Sequence, residues 1–195
     1  MAGVHFSTAR MSMEEGVRPT RRVVTGNDAQ GRSRVVWDGP APNAIGAPAR
    51  PGGGMLELWV FDHSPAPLSG ERDDGNLPYS FEPPQHGAHL RIVQAPPLPA
   101  GYVAPAEHEP QLRDDGQTWD RGGRLVHKTQ TVDYGILLEG ERTLVLDDGD
   151  RLMKPGDVVV QLGNWHGWSS TDRTGCRMAF VMMGADWEGT WPPAR

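Results

Sequence analysis

Short runs of apolar and β-branched residues, separated by turn residues, recur along the chain and predict strands rather than helices. These runs occupy residues 21–25, 33–38, 55–61, 88–94, 134–139, 142–146, 158–162, 166–170 and 176–183. Residues 26–31 and the Asp-Gly pair within 147–150 have hairpin-turn composition. Strands of this length with turns at short intervals are typical of an antiparallel barrel or sandwich. Because no βαβ unit of about 30 residues is present, a Rossmann-type fold is disfavoured.

The remaining segments predict how the domain is organised. Residues 1–18 show no sustained period and are expected to form a disordered extension, followed by a single domain over 19–195. Three stretches, 39–54, 62–87 and 95–123, read as long loops. Loops of this length are uncommon inside a compact domain, and a lid or partner arm is one hypothesis for the last of them.

Composition narrows the fold class further. The 195 residues include 25 glycines and 18 prolines, nearly twice the average usage of about 12%. Both residues are poor helix formers, so a helical bundle or coiled coil is excluded. The chain is nevertheless 37% hydrophobic with seven tryptophans, which is too apolar for disorder throughout.

Charge and cysteine content bear on partners and compartment. A net charge of −6 argues against a general nucleic-acid or anionic-membrane surface, since both need clustered positive charge. No run approaches the ~18 apolar residues of a membrane helix. Cys176 is the single cysteine, so an intrachain disulfide is impossible. We therefore expect a cytoplasmic protein in a reducing compartment.

Two stretches in the C-terminal third carry candidate chemistry. In an extended chain, one face of the first stretch is polar throughout: His127, Thr129, Thr131 and Asp133. The second stretch places His166 and Trp168 on one face. Two histidines and a carboxylate form the set that leaves open positions on a metal ion. The polar face could equally point to solvent, and histidines that are only hydrogen-bonded are commoner than metal ligands.

The order of these residues resembles the two motifs of the cupin superfamily, and in particular small single-domain (monocupin, cupin type-2-like) bacterial proteins. The pattern is His127-x-Thr129-xxx-Asp133-xxxxxx-Gly140, then Pro155-Gly156-Asp157, then Gly163-xx-His166-xxx-Ser170. The motifs lie within residues 124–183, and the resemblance extends over about 19–185. It implies an all-β cupin fold, a double-stranded β-helix or jelly-roll-like antiparallel barrel with long N-terminal loops.

The sequence departs from the family pattern at four positions. Thr129 stands where the family has a second histidine, Asp133 replaces a glutamate, Gln161 replaces a proline and Ser170 replaces an asparagine. The resemblance therefore implies at most three ligands, His127, His166 and Asp133, for a first-row divalent ion: Fe, Mn, Ni, Zn or Cu.

The same three residues are the catalytic candidates, in a pocket expected to be lined by Thr129, Tyr134, Gln161, Trp165, Trp168 and Met178. Family analogy implies metal-assisted chemistry on a small oxygenated organic molecule, of oxygenase, decarboxylase, isomerase or cyclase/dehydratase type. In a second hypothesis no metal is bound, and His127 and His166 act as acid-base groups. A third is a non-enzymatic small-molecule binder.

Two further expectations concern the rest of the molecule. Four histidines in or beside the loop-like segments match no ligand spacing and are expected on the surface: His63, His86, His89 and His108. By family analogy the protein is expected to be a homodimer, with a small-molecule ligand as its other partner.

Overall fold

The computed structural model describes residues 16–47, 50–68, 72–103, 118–120, 125–170 and 174–188. Within these ranges the chain forms thirteen β-strands and no helix, so the prediction of an all-β fold is confirmed. The strands are β1 (Arg21–Asn27), β2 (Ser33–Pro40), β3 (Asn43–Gly46), β4 (Gly54–Phe61), β5 (Ala88–Ala95), β6 (Thr118–Asp120), β7 (Leu125–His127), β8 (Thr131–Gly140), β9 (Arg142–Val145), β10 (Arg151–Met153), β11 (Val158–Leu162), β12 (His166–Ser169) and β13 (Cys176–Gly184).

The strands form two large sheets and a separate hairpin. The six-stranded sheet has the order β11-β8-β13-β5-β4-β3, and the five-stranded sheet has the order β10-β9-β12-β7-β6. β1 and β2 pair with each other, as the turn composition between them predicts. All pairings within the two large sheets are antiparallel.

The apolar runs predicted from the sequence are all strands, whereas two of the predicted loops contain short strands. β3 lies within the stretch 39–54, where Asn43–Gly46 pairs with β4. β6 lies within 95–123 and pairs with β7. In both cases hydrogen bonding to a neighbouring strand overrides the low strand propensity of the Gly- and Pro-rich or acidic surroundings.

Two apolar clusters stabilise the fold. The first fills the space between the sheets and contains Leu137, Leu144, Met153, Cys176, Met178, Phe180 and Met182. The second contains Val17, Ala41, Ala44, Leu56 and Ile92. Ala44, Leu56, Ile92 and Ala179 form one cross-strand row, which faces away from the first cluster because side chains alternate along each strand.

The N-terminal part of the described chain covers that outer row. Val17 is 5% exposed, and Arg18 forms an ion pair with Glu139 on β8. Residues 16–18 therefore belong to the packed structure, although the sequence predicts disorder over 1–18; residues 1–15 of that prediction lie outside the described ranges. No helix among the described residues has the length and apolar character needed to cross a membrane.

The chain changes sheets at two points that matter for the site. Residues 128–130 connect β7 in the five-stranded sheet to β8 in the six-stranded sheet, and Gly140–Glu141 returns the chain to the five-stranded sheet. Gly140 has a φ of 73°, which a residue with a side chain rarely adopts. A Cβ at this position would lie 2.1 Å from the carbonyl oxygen of Gly175, so only glycine fits the crossing.

Candidate active site

A cavity of about 150 Å³ lies between the two sheets. Its polar lining consists of Arg91, His127, Asp133, Arg142, Gln161 and His166. Its apolar lining consists of Met55, Phe81, Val93, Trp168, Phe180 and Met182. A few polar groups among apolar and aromatic walls is the composition expected of a small-molecule site.

The two motif histidines form one wall. His127 on β7 and His166 on β12 are directly paired across the strands, and their ring centroids are 4.4 Å apart. The ring of Phe81 contacts His127 edge-on at 5.6 Å, and Trp168 contacts His166 at 6.3 Å. Strand pairing and aromatic packing thus fix both imidazoles.

His166 is held in one tautomer. Its Nδ1 lies 3.0 Å from the carbonyl oxygen of Asn164, and a carbonyl only accepts, so Nδ1 carries the proton and Nε2 is the basic atom. Burial lowers the pKa of His166 to about 4, with the Asn164 hydrogen bond opposing this and the Arg142 cation adding to it. His166 is therefore neutral at pH 7.

Asp133 contributes a carboxylate from the opposite sheet. Burial raises its pKa to about 6, while a hydrogen bond with Thr131 and the Arg91 cation oppose the rise. Its Oδ1 is buried and has no hydrogen-bond partner among the described residues. A carboxylate with a pKa this close to neutrality is a stronger base than an ordinary aspartate.

Gln161 lies beside Asp133 on the neighbouring strand β11. The side chain is 2% exposed, and neither its amide oxygen nor its amide nitrogen has a partner in the described part of the chain. Buried polar groups are nearly always hydrogen-bonded. Asp133 and Gln161 therefore present unsatisfied polar atoms side by side on one wall of the cavity.

Two arginines complete the polar lining, and the sequence motifs do not indicate either of them. Arg91 on β5 pairs with Glu57 on β4 at 2.6 Å and donates to the carbonyl oxygens of Ser80 and Phe81. These bonds hold the loop that carries Phe81. Arg142 on β9 has no carboxylate partner among the described residues; its guanidinium lies 5.0 Å from the Trp168 ring centroid.

The surface assignment of His89 is wrong. His89 is 3% exposed, because it lies on the inner face of β5 two residues from Arg91, whose Nη2 is 2.9 Å from its Nδ1. Burial and the Arg91 cation lower the pKa of His89 to about 3. His63 is exposed, His63 and His86 form an isolated bridge, and His108 lies outside the described residues.

Not every residue expected in the pocket lies there. Tyr134 is 42% exposed, because it follows Asp133 on β8 and so points to the other face of the sheet. Met178 belongs to the apolar cluster, and Thr129 is buried with its hydroxyl 2.7 Å from that of Thr131. Trp165 contacts the ammonium of Lys128. Gln161 and Trp168 do line the cavity.

The geometry also bears on the expected metal ligands. In the part of the chain that the structure describes, no three His, Cys, Asp or Glu side chains are close enough to hold one ion. His127 and His166 are adjacent, but Asp133 projects from the facing sheet, because the chain crosses between the sheets at residues 128–130 and the polar stripe is not one continuous strand. His127 and His166 are thus adjacent imidazoles, and a ligand set completed by Asp133 stays a prediction.

A sequence signal for the two arginines is weak but present. Arg91 and Arg142 each lie at an inward-facing position of a strand, where a charged residue has to be paired or functional. These positions can be recognised as inward-facing only once the strand bounds and the facing sheet are known.

Comparison with known proteins identifies relatives but no matching family model. The chain is 33% identical over 175 residues to phomopsin biosynthesis cluster protein C' of Diaporthe leptostromiformis, covering 87% of this chain and 80% of that protein. It is 27% identical over 179 residues to the cupin-domain-containing oxidoreductase virC of Hypocrea virens, covering 86% and 77%. The solved cupin domain of Schizosaccharomyces pombe Cnp3 aligns over 84% of this chain and 86% of that domain, with a TM-score of 0.42 and 10% identity. Both curated relatives are fungal, so the expected placement among bacterial proteins is not supported.

Proposed function

Because the chain belongs to the cupin superfamily, we propose that it is an enzyme that acts on a small oxygenated organic molecule in the cavity between its sheets. The reaction class is proton transfer at a carbon next to a carbonyl group, as in isomerisation. The observation that carries this proposal is the buried Asp133, whose pKa is about 6 and whose Oδ1 is unpartnered among the described residues.

Asp133 is the general base. Its carboxylate takes the proton from the C–H bond, and the electron pair of that bond moves to the carbonyl oxygen to give an enolate. Asp133 then returns the proton to another carbon of the same molecule, so no external oxidant or reductant is consumed. General acid–base catalysis of this kind contributes typically ~10²- to 10⁴-fold in rate.

The neighbouring groups orient the substrate and stabilise the enolate. Nε2 of His166 accepts a hydrogen bond from a substrate hydroxyl, because Nδ1 of the ring is held by Asn164. The amide nitrogen of Gln161 donates to the developing oxyanion, since it is buried without a partner within the described ranges. Fixed donors in a dry cavity stabilise developing charge more than donors in water do.

A metal-assisted reaction is the second candidate, supported by the adjacent imidazoles of His127 and His166 and by a relative named as an oxidoreductase. These two residues would hold a first-row divalent ion (Fe, Mn, Ni, Zn or Cu), which supplies a Lewis acid when bound. A third protein ligand is not gathered in the described part of the chain, and no step is derived through the ion.

The test is exchange of carbon-bound protons for deuterium. Native protein is incubated in D₂O with a panel of 2-oxo, 3-oxo and unsaturated acids, and the α-protons are followed by NMR. We expect exchange with at least one acid and a loss of about 10²-fold or more in Asp133→Asn. Asp148→Asn, at an exposed turn position, is the matched control and keeps the native rate.

Two results would contradict the proposal. One is the absence of exchange with every acid, which would favour a binding protein. The other is exchange that Asp133→Asn leaves intact. A further experiment measures the metal content of the protein and treats it with chelator. Exchange that is lost with the metal and restored by one ion would favour the metal-assisted reaction.

A further inference from the structure

Arg142 is a buried cation without a carboxylate partner among the described residues. Its Nε is inaccessible to solvent and has no hydrogen-bond partner among the described residues. It contacts the Trp168 ring at 5.0 Å and Sδ of Met178 at 3.7 Å, and the Cys176 thiol lies close enough to interact with its charge. None of the ion pairs within the described ranges includes it.

Arg91, the second arginine of the cavity, is paired with a carboxylate of the same chain and serves as a comparison. Arg91 is 2.6 Å from Glu57, and its Nη atoms donate to two carbonyl oxygens. A buried charge is costly unless it is paired and hydrogen-bonded. Arg91 has a carboxylate partner within the chain, although its Nε, like that of Arg142, makes no hydrogen bond among the described residues. Arg142 has no carboxylate partner in that part of the chain, and it lines the cavity.

The surroundings of Arg142 define the group that would pair with it. A guanidinium donates in its own plane and matches the two oxygens of a carboxylate. Trp168 stacks against this guanidinium and also packs against Phe180 with ring centroids 5.7 Å apart. An anionic ligand would therefore place its charge at Arg142 and its apolar part against aromatic rings.

We propose that Arg142 binds the carboxylate of the substrate, and that the substrate is a small organic acid with a flat, apolar body. This inference rests on the proposed function and adds the substrate class to it. The cavity of about 150 Å³ limits the body to about the size of one ring, since an engineered apolar cavity of similar volume binds benzene. With the substrate carboxylate bound at Arg142, the rest of the substrate would contact Asp133 and Gln161.

Benzoate and benzamide are suitable probes because they differ mainly in charge. Isothermal titration of the native full-length protein is expected to show benzoate binding about tenfold or more tighter than benzamide. Arg142→Met is expected to abolish that preference, and Arg142→Lys to retain part of it, because lysine keeps the charge but not the two-pronged geometry. Arg151→Met, which removes an exposed arginine, is expected to leave both affinities unchanged.

A thermal melt guards against misfolding of the variant. Arg142→Met removes an unpaired buried cation and keeps an unbranched apolar side chain, so its melting temperature without ligand is expected to equal or exceed the native value. A lower melting temperature would assign Arg142 a structural role and overturn the proposal. Equal affinities for benzoate and benzamide, or no benzoate binding by native protein, would also overturn it.

The failure of this inference and of the proposed function are distinguishable. Asp133→Asn is expected to lose proton exchange and to keep the preference for benzoate. If exchange occurs but the preference for benzoate is absent, the anchor is wrong and the general base stands. If the preference depends on Arg142 but no exchange occurs, the anchor stands and the proposed reaction is wrong.

Discussion

The ionised form of Asp133 destabilises the folded protein, because its carboxylate is buried. The pH dependence of stability therefore tests the state of this single residue. Burial raises its pKa from 3.8 to about 6, so the folded protein binds this proton more tightly than the unfolded chain does. The contribution of Asp133 to the free energy of unfolding therefore falls as pH rises through that interval. Asp133→Asn removes this fall, and its stability relative to native protein is expected to rise by up to ~3 kcal/mol between pH 4 and pH 6.

Denaturant unfolding at several pH values measures this difference, and His166→Gln is a comparison of opposite sign. The pKa of His166 is lowered from 6.5 to about 4, so its contribution to stability rises with pH over nearly the same window. His166→Gln is expected to lose stability relative to native protein as pH rises from 4 to 6.5. Difference curves of the same sign for both variants would contradict the assigned ionisation states.

The residues of the site were predictable from the sequence only where a motif carries them. His127, His166 and Asp133 follow from the spacing, and Gln161 was identifiable because it replaces the expected proline. Arg142 and Arg91 were not, because an isolated arginine in a strand has no spacing signature. The prediction that Tyr134 lines the pocket is wrong, because Tyr134 directly follows Asp133 in a strand. Successive side chains of a strand point to opposite faces of the sheet.

At the scale of the element, periodicity located the strands but not their sheets. β8 and β9 are separated by a single residue, Glu141, and yet pair with different partners: β8 with β11 and β13, β9 with β10 and β12. Local pattern specifies which face of a strand is apolar; it carries no information on which distant strand covers that face. The short strands β3 and β6 were missed because pairing with a neighbour, rather than their own composition, makes them strands.

Gly140 makes that change of sheet possible, and a pair of glycine variants tests it. Gly140→Ala is expected to lose about 2–4 kcal/mol of unfolding free energy, since the residue has a φ of 73° and its Cβ would meet backbone of Gly175. Gly156→Ala is the matched control: it has a φ of 94° but open space around a Cβ, and should lose only about 1–2 kcal/mol. Urea denaturation compares the two. Equal losses would show that φ alone, and not the close approach, requires glycine at position 140.

At the scale of the whole molecule, the site depends on two sheets that the chain visits alternately. The imidazoles and Arg142 come from the five-stranded sheet, and Asp133, Gln161 and Arg91 come from the six-stranded sheet. The relative position of the sheets therefore fixes every distance across the cavity. The six-stranded sheet is packed on both faces, by the first apolar cluster inside and by Val17 and Ala41 outside.

This double packing predicts that the N-terminal segment stabilises the entire domain. Val17 is 5% exposed in the outer cluster, so Val17→Asp would bury an unpaired carboxylate and is expected to lower the unfolding free energy by about 2–4 kcal/mol. Val23→Asp introduces the same charge at a position that is 47% exposed and should cost less than about 1 kcal/mol. The strands of the outer row, β4 and β5, are hydrogen-bonded to one another and to β13, which lines the cavity. The loss of stability is therefore expected in one cooperative unfolding transition. Tryptophan fluorescence and far-UV circular dichroism should both report this transition. Equal costs for the two variants would mean that the domain folds without its N-terminal cover, as the predicted boundary at residue 19 implies.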